Sequence, residues 1–305
     1  MRIRPWWLFI ACIVIIPYLG THIYQKYRPS VDWEQSSEGL VVHMKENGLE
    51  RILNFDTYVV GVLGAVLTPD THEEMIKAMA VILRTYLYYM SENGKLLDGE
   101  QLNQPWLSAK ERRIKGWDDE KIYSAIRVTE GRIILFNEVP ILPLYCELSN
   151  GKTRNFSDVW NGNIEYLKSV ESLWDKGSPN YIQKFQITKN LWRRAWGDNF
   201  SEGKNSPQSG GQMSIWQIQI VEKDDAGYVK QIQIGTEIYS GEEVRHRLGL
   251  SSACFEYEIK NNTVEFTCYG QGHGVGLSIY GANAMALEGK TWEEIILWYF
   301  PQTDV

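Results

Sequence analysis

Apolar and polar positions along the 305-residue chain change period repeatedly, and each change predicts an element. Residues 6–20 are almost uninterruptedly apolar, and residues 29–39 are polar and read as a linker. Two short apolar segments, 40–43 and 49–55, flank Asn47-Gly48, the strongest two-residue hairpin signal. An apolar run over 58–67 stops at Pro69. Thr71 then opens a helix, with Glu74 at capping-box spacing. Met75, Met79, Ile82, Leu83, Tyr86 and Met90 follow at helical intervals up to Gly94. Residues 94–117 hold no period and read as irregular, whereas 118–130 predict a helix closed by Gly131.

Residues 132–136 and 141–146 predict strands across a tight Asn137-Glu138 turn, and 150–160 are polar and loop-like. A loop at 205–212 precedes the alternating Trp216, Ile218 and Ile220, which pair with 229–234 across 224–227. Ser240 with Glu243 opens a further helix, 263–269 alternates as a strand, 282–288 suits a helix, and Thr291 with Glu294 opens the last one. Strands and helices mix without βαβ regularity or an internal repeat. The fold class expected is α+β, with mixed or antiparallel strands and packed helices forming a cleft.

The apolar N-terminal stretch changes that picture at one end. Arg2 and Arg4 precede it, and Trp6, Trp7 and Tyr18 sit near its ends. It is short against the roughly 20 residues of a typical span but long for a signal core. No small-x-small cleavage site follows at Thr21, His22, Ile23 and Tyr24, so an uncleaved transmembrane signal anchor is expected over 1–28. Lys26 and Arg28 nearly balance Arg2 and Arg4, leaving orientation open on charge alone. A linker and first strand then occupy 29–48. The main domain occupies 49–305, with an inserted subregion around 175–250.

Composition excludes more than it assigns. With 44% hydrophobic residues the chain can bury a full core, and a net charge of −7 without a basic run argues against nucleic acid. Twelve tryptophans and seventeen tyrosines supply faces for sugar rings or for core packing. Cys12 lies in the anchor, which leaves Cys146, Cys254 and Cys268, an odd number. Cys146, Cys268 and His273 form an alternative set of metal ligands. The expectation is buried free thiols, no metal and no cofactor.

Residues 270–283, GQGHGVGLSIYGAN, concentrate the candidate chemistry. Gly270, Gly272, Gly274 and Gly276 alternate around His273, with Ser278, Tyr280 and Asn283 close behind, as in a loop built around a ligand or, alternatively, a tight structural turn with a satisfied histidine. A glycine-rich turn between strand and helix can also cradle phosphate. A dinucleotide site, however, needs a second strand with an acidic end about 20 residues on, and the remaining chain reads as helix.

Three segments together carry a family pattern: YVVGVLGAVLTPDTHEEMIKAMAVILRTY from Tyr58, YCELSNGKTRNFSDVW from Tyr145, and GHGVGLSIYGAN from Gly272. In that order they closely resemble the stage II sporulation protein D (SpoIID/LytB) family, over nearly all of 49–300. The resemblance implies a single-pass membrane protein with its C-terminal domain outside the cytoplasm, on the mother-cell side of the sporulation septum. It implies partners in peptidoglycan glycan strands, an amidase and other engulfment proteins, and lytic transglycosylase cleavage of peptide-free strands. Such cleavage needs a carboxylic acid to protonate the leaving oxygen, after which the sugar's 6-hydroxyl closes an anhydro ring.

The family's catalytic glutamate falls on Val66 here, and Leu67 and Thr68 replace its usual Met-Pro. Glu74, Lys77, Arg84, Thr85 and Tyr86 match the following helix. In the second segment Cys146 replaces a histidine and Glu147 is a new carboxylate beside it. Glu147 is the candidate replacement acid, against the alternative of an ordinary solvated glutamate, and Glu74 is a weaker candidate against a helix cap. The resemblance places Arg84, Tyr86, Ser149, Lys152, Thr153, His273, Ser278, Tyr280 and Asn283 at the substrate. Two functions follow from it: cleavage through a relocated carboxyl, or a glycan-binding scaffold that stimulates an amidase.

Overall fold

A computed structural model of the chain describes residues 41–46, 49–91, 97–197, 217–260 and 263–305. The expected anchor and linker up to residue 40, the Asn47-Gly48 turn, Gly94 and the 205–212 loop lie outside the described residues. Among the described helices none is long and apolar enough to cross a membrane.

Strands β1 (Val41–Glu46) and β2 (Leu49–Asn54) pair antiparallel with Glu46 opposite Leu49, the register of a two-residue turn. Asn54 caps helix α1 (Phe55–Val66) by accepting the Thr57 amide at 2.9 Å. The apolar run from Tyr58 is thus helix. It is buried on nearly every side from Phe55 to Gly64, which is why it shows no amphipathic period.

Helix α2 (Glu73–Met90) starts one residue later than expected. Its cap is His72, whose Nδ1 accepts the Glu74 amide at 3.2 Å, while the Thr71 hydroxyl accepts the Thr68 amide. The expected Thr71–Glu74 box does not form, because the Glu74 carboxylate is engaged elsewhere.

Residues 97–117 hold more structure than their pattern shows. Strand β3 (Leu97–Asp98) joins β1 in parallel, and α3 (Gly99–Leu102) and α4 (Ala109–Ile114) follow, α4 with a complete Ser108–Glu111 capping box. Helices of one turn are too short to display a period. Helix α5 (Asp119–Val128) forms as expected.

Strands β4 (Leu135–Phe136) and β5 (Val139–Pro140) flank Asn137 and Glu138, both at positive φ (51° and 64°) as a tight hairpin turn requires. The strand expected over 141–146 shrinks to β6 (Tyr145–Cys146). Pro143 cannot donate to a ladder, and the Leu144 amide turns back to Leu142 O at 3.1 Å.

A second core follows in β7 (Ile182–Thr188), α6 (Lys189–Trp196), β8 (Ile218–Lys223), β9 (Val229–Ile234), β10 (Glu237–Ser240), α7 (Gly241–Leu248), β11 (Phe255–Lys260) and β12 (Thr263–Tyr269). Two antiparallel sheets, β10-β9-β8 and β11-β12-β7, close over Ile187, Trp192, Val229, Ile232, Val244 and Phe266. This core runs past the predicted insert at 175–250 to Cys268.

Strand β13 (Leu277–Ser278) then pairs in parallel with β6, and α8 (Ile279–Leu287) and α9 (Trp292–Tyr299) pack on α2. The expected α+β architecture of mixed strands and packed helices is what forms.

Candidate functional site

The Gly-rich segment is threaded between three other pieces of chain. Isolated bridges join Leu148 to Gln271, Arg154 to Val275 and Ser252 to Gly272, and β13 continues the same track along β6. The four glycines, all at φ between 76° and 95°, serve this threading rather than an open cradle. A Cβ at Gly274 would stand 2.6 Å from the Tyr228 hydroxyl, and one at Gly276 would stand 2.0 Å from the Leu144 carbonyl oxygen. Gly276→Ala is therefore expected to cost about 1–3 kcal/mol for its backbone conformation alone, with the displaced carbonyl adding to it. Gly289→Ala is the control, since φ there is 90° but no atom lies within 4 Å. Thermal unfolding of the two variants checks this: a Tm at Gly276→Ala no lower than at Gly289→Ala contradicts it.

His273 lies at the surface end of this segment, half-buried. Its Nδ1 accepts the Val275 amide at 3.1 Å, and Trp160 meets the ring edge-on at 5.2 Å. Burial drives its pKa down to about 4, reinforced by Arg245 and Arg154 and opposed by Glu242 and the Tyr145 backbone. A neutral ring with Nδ1 as acceptor carries its proton on Nε2, where the Tyr145 backbone accepts the bond, so at neutral pH the ring carries no charge.

Beneath it Arg154, 1% exposed, donates to Asp224 at 2.7 Å and Glu242 at 2.6 Å, stacks on Tyr228, and donates to His273 O at 3.3 Å. This buried network fixes the β8–α7 region against the backbone of the Gly-rich segment. Arg154, Asp224, Tyr228 and Glu242 escape sequence reading because their partners are 70 to 119 residues apart.

A second buried hub centres on Asp175, fully buried. It accepts the Ser149 amide at 3.0 Å, the Ser149 hydroxyl, and the Ser278 hydroxyl at 2.8 Å. Burial raises its pKa against the pull of these donors. Ser278 also caps α8, and a Cβ at Gly281 would sit 2.9 Å from Asp175. Asp175 thus joins the second and third motif segments.

Several expected substrate residues turn out to be part of this framework. Ser149, Thr153 and Ser278 are buried, Thr153 accepting the Val170 amide at 2.8 Å. Arg84, 2% exposed, donates to the carbonyls of Thr129, Arg132 and Ile126 at the end of α5. Burial lowers its pKa to about 10, and no face is left for a ligand, so we assign it to packing. Asn283 accepts the His72 amide at 2.9 Å and ties α8 to α2. Glu74 accepts the Trp292 amide at 2.8 Å and pairs with Lys77 at 2.5 Å. Its desolvation is outweighed by these partners, which lower its pKa and suit it to capping α9 rather than to donating a proton.

The exposed candidates are fewer. Glu147 follows β6 directly, and its Oε2 accepts the Gln271 amide nitrogen at 2.5 Å. The surrounding protein raises its pKa by desolvation, although the residue itself is exposed. Tyr280 donates its backbone amide to Glu147 O at 3.2 Å, bringing α8 against the same residue. Lys152 is half-buried, its backbone bridged to Glu171.

Val66, half-buried, closes α1. There Lys115 Nζ donates to Gly64 O, Ala65 O and Leu67 O at 2.8–2.9 Å, so an ammonium completes the carbonyl end of the helix. The first and second motif segments meet through Tyr145, whose hydroxyl bonds Gln104, next to the Trp106 ring that covers Gly61 of α1. Tyr86 donates to Leu102 O at 3.1 Å in the same stretch.

Cys146, Cys254 and Cys268 are separate buried thiols; burial raises the pKa of each, that of Cys268 to about 11. Among the described residues no group of three His, Cys, Asp or Glu side chains is placed to hold a metal, and Cys146, Cys268 and His273 do not converge.

Residues 45–136 match the family model described as SpoIID, Stage II sporulation protein. The chain is 31% identical to Stage II sporulation protein D of Bacillus subtilis (strain 168) over 332 aligned residues, covering 98% of this chain and 92% of that protein. The chain belongs to the stage II sporulation protein D family. Stage II sporulation protein D of Bacillus amyloliquefaciens is 30% identical over 89% of this chain and 80% of its own length. The Amidase enhancer of Bacillus subtilis (strain 168) is 23% identical over 59% of this chain and 32% of its own length. The family model covers the first of the three motif segments, and Asp175 and the Gly-rich thread bring the second and third together.

Proposed function

We propose that this member acts in sporulation on peptidoglycan, binding glycan strands along the surface formed by Glu147, Gln271, His273 and Tyr280, and that Glu147 delivers the proton in lytic cleavage. The observation that carries the chemistry is an accessible carboxyl with a raised pKa, held by Gln271 on the Gly-rich segment. Asp175 and Glu74, two further carboxyls at the motif segments, are committed to buried or capping bonds. A general acid with a pKa above the ordinary carboxyl range keeps its proton closer to neutral pH. The sugar's own 6-hydroxyl then attacks, and Glu147, now ionised, takes up that proton. Placement on a membrane, outside the cytoplasm, completes the proposal and rests on the apolar stretch at 6–20.

A second reading has its own observation. Val66 cannot donate a proton, and the similarity to a protein named Amidase enhancer favours a glycan-binding protein that stimulates an amidase. Val66→Glu separates the two. A carboxyl placed at the end of α1 lies beside Lys115, which favours its ionised form. With the acid at Glu147, the wild-type chain releases anhydro-sugar products and Val66→Glu leaves the rate within the same order. Cleavage that appears only in Val66→Glu establishes the second reading instead.

A further inference from the structure

The Glu147 carboxyl is the last of three side chains joined by hydrogen bonds, and the series has a direction. Gln183 sits on β7 opposite Cys268 of β12. Its Nε2 donates to Asn180 O at 3.3 Å and to Gln271 Oε1 at 3.2 Å. Gln271 in turn donates from Nε2 to Glu147 Oε2 at 2.5 Å. Asn180 O is a backbone carbonyl and can only accept, so the Gln183 atom facing it is the amide nitrogen. The second N–H on that nitrogen goes to Gln271, which answers with its oxygen and turns its own nitrogen to Glu147. A free amide could present either end to a carboxyl. This one cannot turn over without losing the bond from Gln183.

The backbone holds the series at both ends. The Gln271 amide donates to Leu148 O at 2.7 Å, and the Leu148 amide donates to Gln271 O at 3.1 Å, a reciprocal pair beside Glu147. The Gly270 amide donates to Tyr181 O at 2.8 Å, which locks the start of the Gly-rich segment to the chain entering β7. Gln183 and Gln271 are half-buried, whereas Glu147 is exposed. The series therefore runs from the second core to an accessible carboxyl.

The consequence concerns the two oxygens of that carboxyl. Oε2 receives the Gln271 N–H, and a proton on Oε2 would meet that N–H head on. A protonated Glu147 thus carries its proton on Oε1. We propose that Gln183 is a positioning residue which, through the Gln271 amide, reserves Glu147 Oε1 for the proton delivered to the leaving oxygen. The proposal rests on the acid role given to Glu147 above and adds how that acid is oriented. As the glycosidic bond breaks, its electron pair stays on the leaving oxygen, which takes the proton from Oε1. The 6-hydroxyl oxygen bonds to the anomeric carbon and returns its own proton to Oε1, so one oxygen serves both halves of the reaction.

Two readouts on the full chain in detergent test it. One is the Glu147 titration, followed by carbon NMR of its carboxyl and assigned by its loss in Glu147→Gln. The other is the pH–rate profile of cleavage of peptide-free glycan strands. Gln183→Met keeps the side-chain length and removes the donor, which frees Gln271 to turn its oxygen toward a protonated Glu147 and stabilise that form. The titration and the descending limb of the rate are expected to move up together by about 0.5–1 pH unit. Gln271→Met takes away the donor itself and moves both the same way, and in that background Gln183→Met adds nothing. Gln183→Thr, suited to a half-exposed strand, takes its place where Gln183→Met unfolds. A Glu147 titration unmoved by loss of Gln183, or a shift that persists undiminished in the Gln271→Met background, overturns the relay whether or not the chain cleaves glycan. A titration that shifts as expected in a chain that releases no anhydro product leaves the relay standing and overturns the acid role of Glu147.

Discussion

Under the proposed mechanism Glu147→Gln is expected to lower the rate of glycan cleavage by ~10²–10⁴-fold, the usual contribution of a positioned general acid. The substitution is close to isosteric, and its carbonyl can still accept from the Gln271 amide that holds Glu147 now. Folding and glycan binding therefore stay near wild type while the rate falls. The pH dependence gives an independent reading of the same group. The acid works in its protonated form, so the rate is full below the Glu147 pKa and declines as pH rises through it. That limb lies above 4.5, the ordinary value, because desolvation raises the pKa. His273 adds no limb near neutrality, since it titrates at about 4. Single-turnover rates of wild type and variant across pH 4–8 check both statements. A variant as fast as wild type removes Glu147 from the chemistry.

Arg154→Leu has the largest expected effect on stability. Its guanidinium is the partner of Asp224, which is 1% exposed, and one of two cations on Glu242. Removing it leaves the Asp224 carboxylate buried with only the Ala226 and Tyr228 amides, at 3.1 and 2.9 Å. Breaking a buried pair from one side costs ~3–5 kcal/mol, mostly the penalty of the stranded charge. Combining Arg154→Leu with Asp224→Asn should recover part of that loss, whereas Asp224→Asn alone leaves the guanidinium with Glu242 as its carboxylate partner. Urea unfolding measures it as a fall in midpoint at unchanged slope. A midpoint within experimental error of wild type contradicts the assignment. The Arg154 backbone and side chain also hold Gly274 O and His273 O, so loss of glycan binding is expected alongside.

How far the sequence carried this picture depends on the range over which each signal acts. Helices α2 and α5 are legible because their apolar spacing is local. The Asn137-Glu138 turn was legible for the same reason. Helix α1 was not assigned, because burial on all sides erases its period, and the Thr71 cap was misread because Glu74 serves a helix 218 residues away. Strands β7 and β11 and helix α6 were missed. Their alternation is weak on the exposed face, and only the shared core at Phe266 and Val264 organises them.

At the site, the Gly-rich segment is conspicuous in the sequence, but its glycines suit a loop around a ligand and a tight structural turn equally well. They are spacing for backbone against backbone, and the contacts that show it come from Leu144, Ser149 and Tyr228. Asp175 gave no local signal beyond its Trp174-Asp175 pairing, since its partners are serines 26 and 103 residues away. Val66 and Glu147 were legible only by comparison with a family pattern, because both are ordinary residues out of context.

The measurement that bears most directly on the central claim is product analysis by mass spectrometry after the full chain is incubated with peptide-free glycan strands. The account predicts fragments ending in 1,6-anhydro sugars, released by wild type and lost in Glu147→Gln. Strands left intact at high protein concentration, or fragments carrying a free reducing end from attack by water, would contradict it.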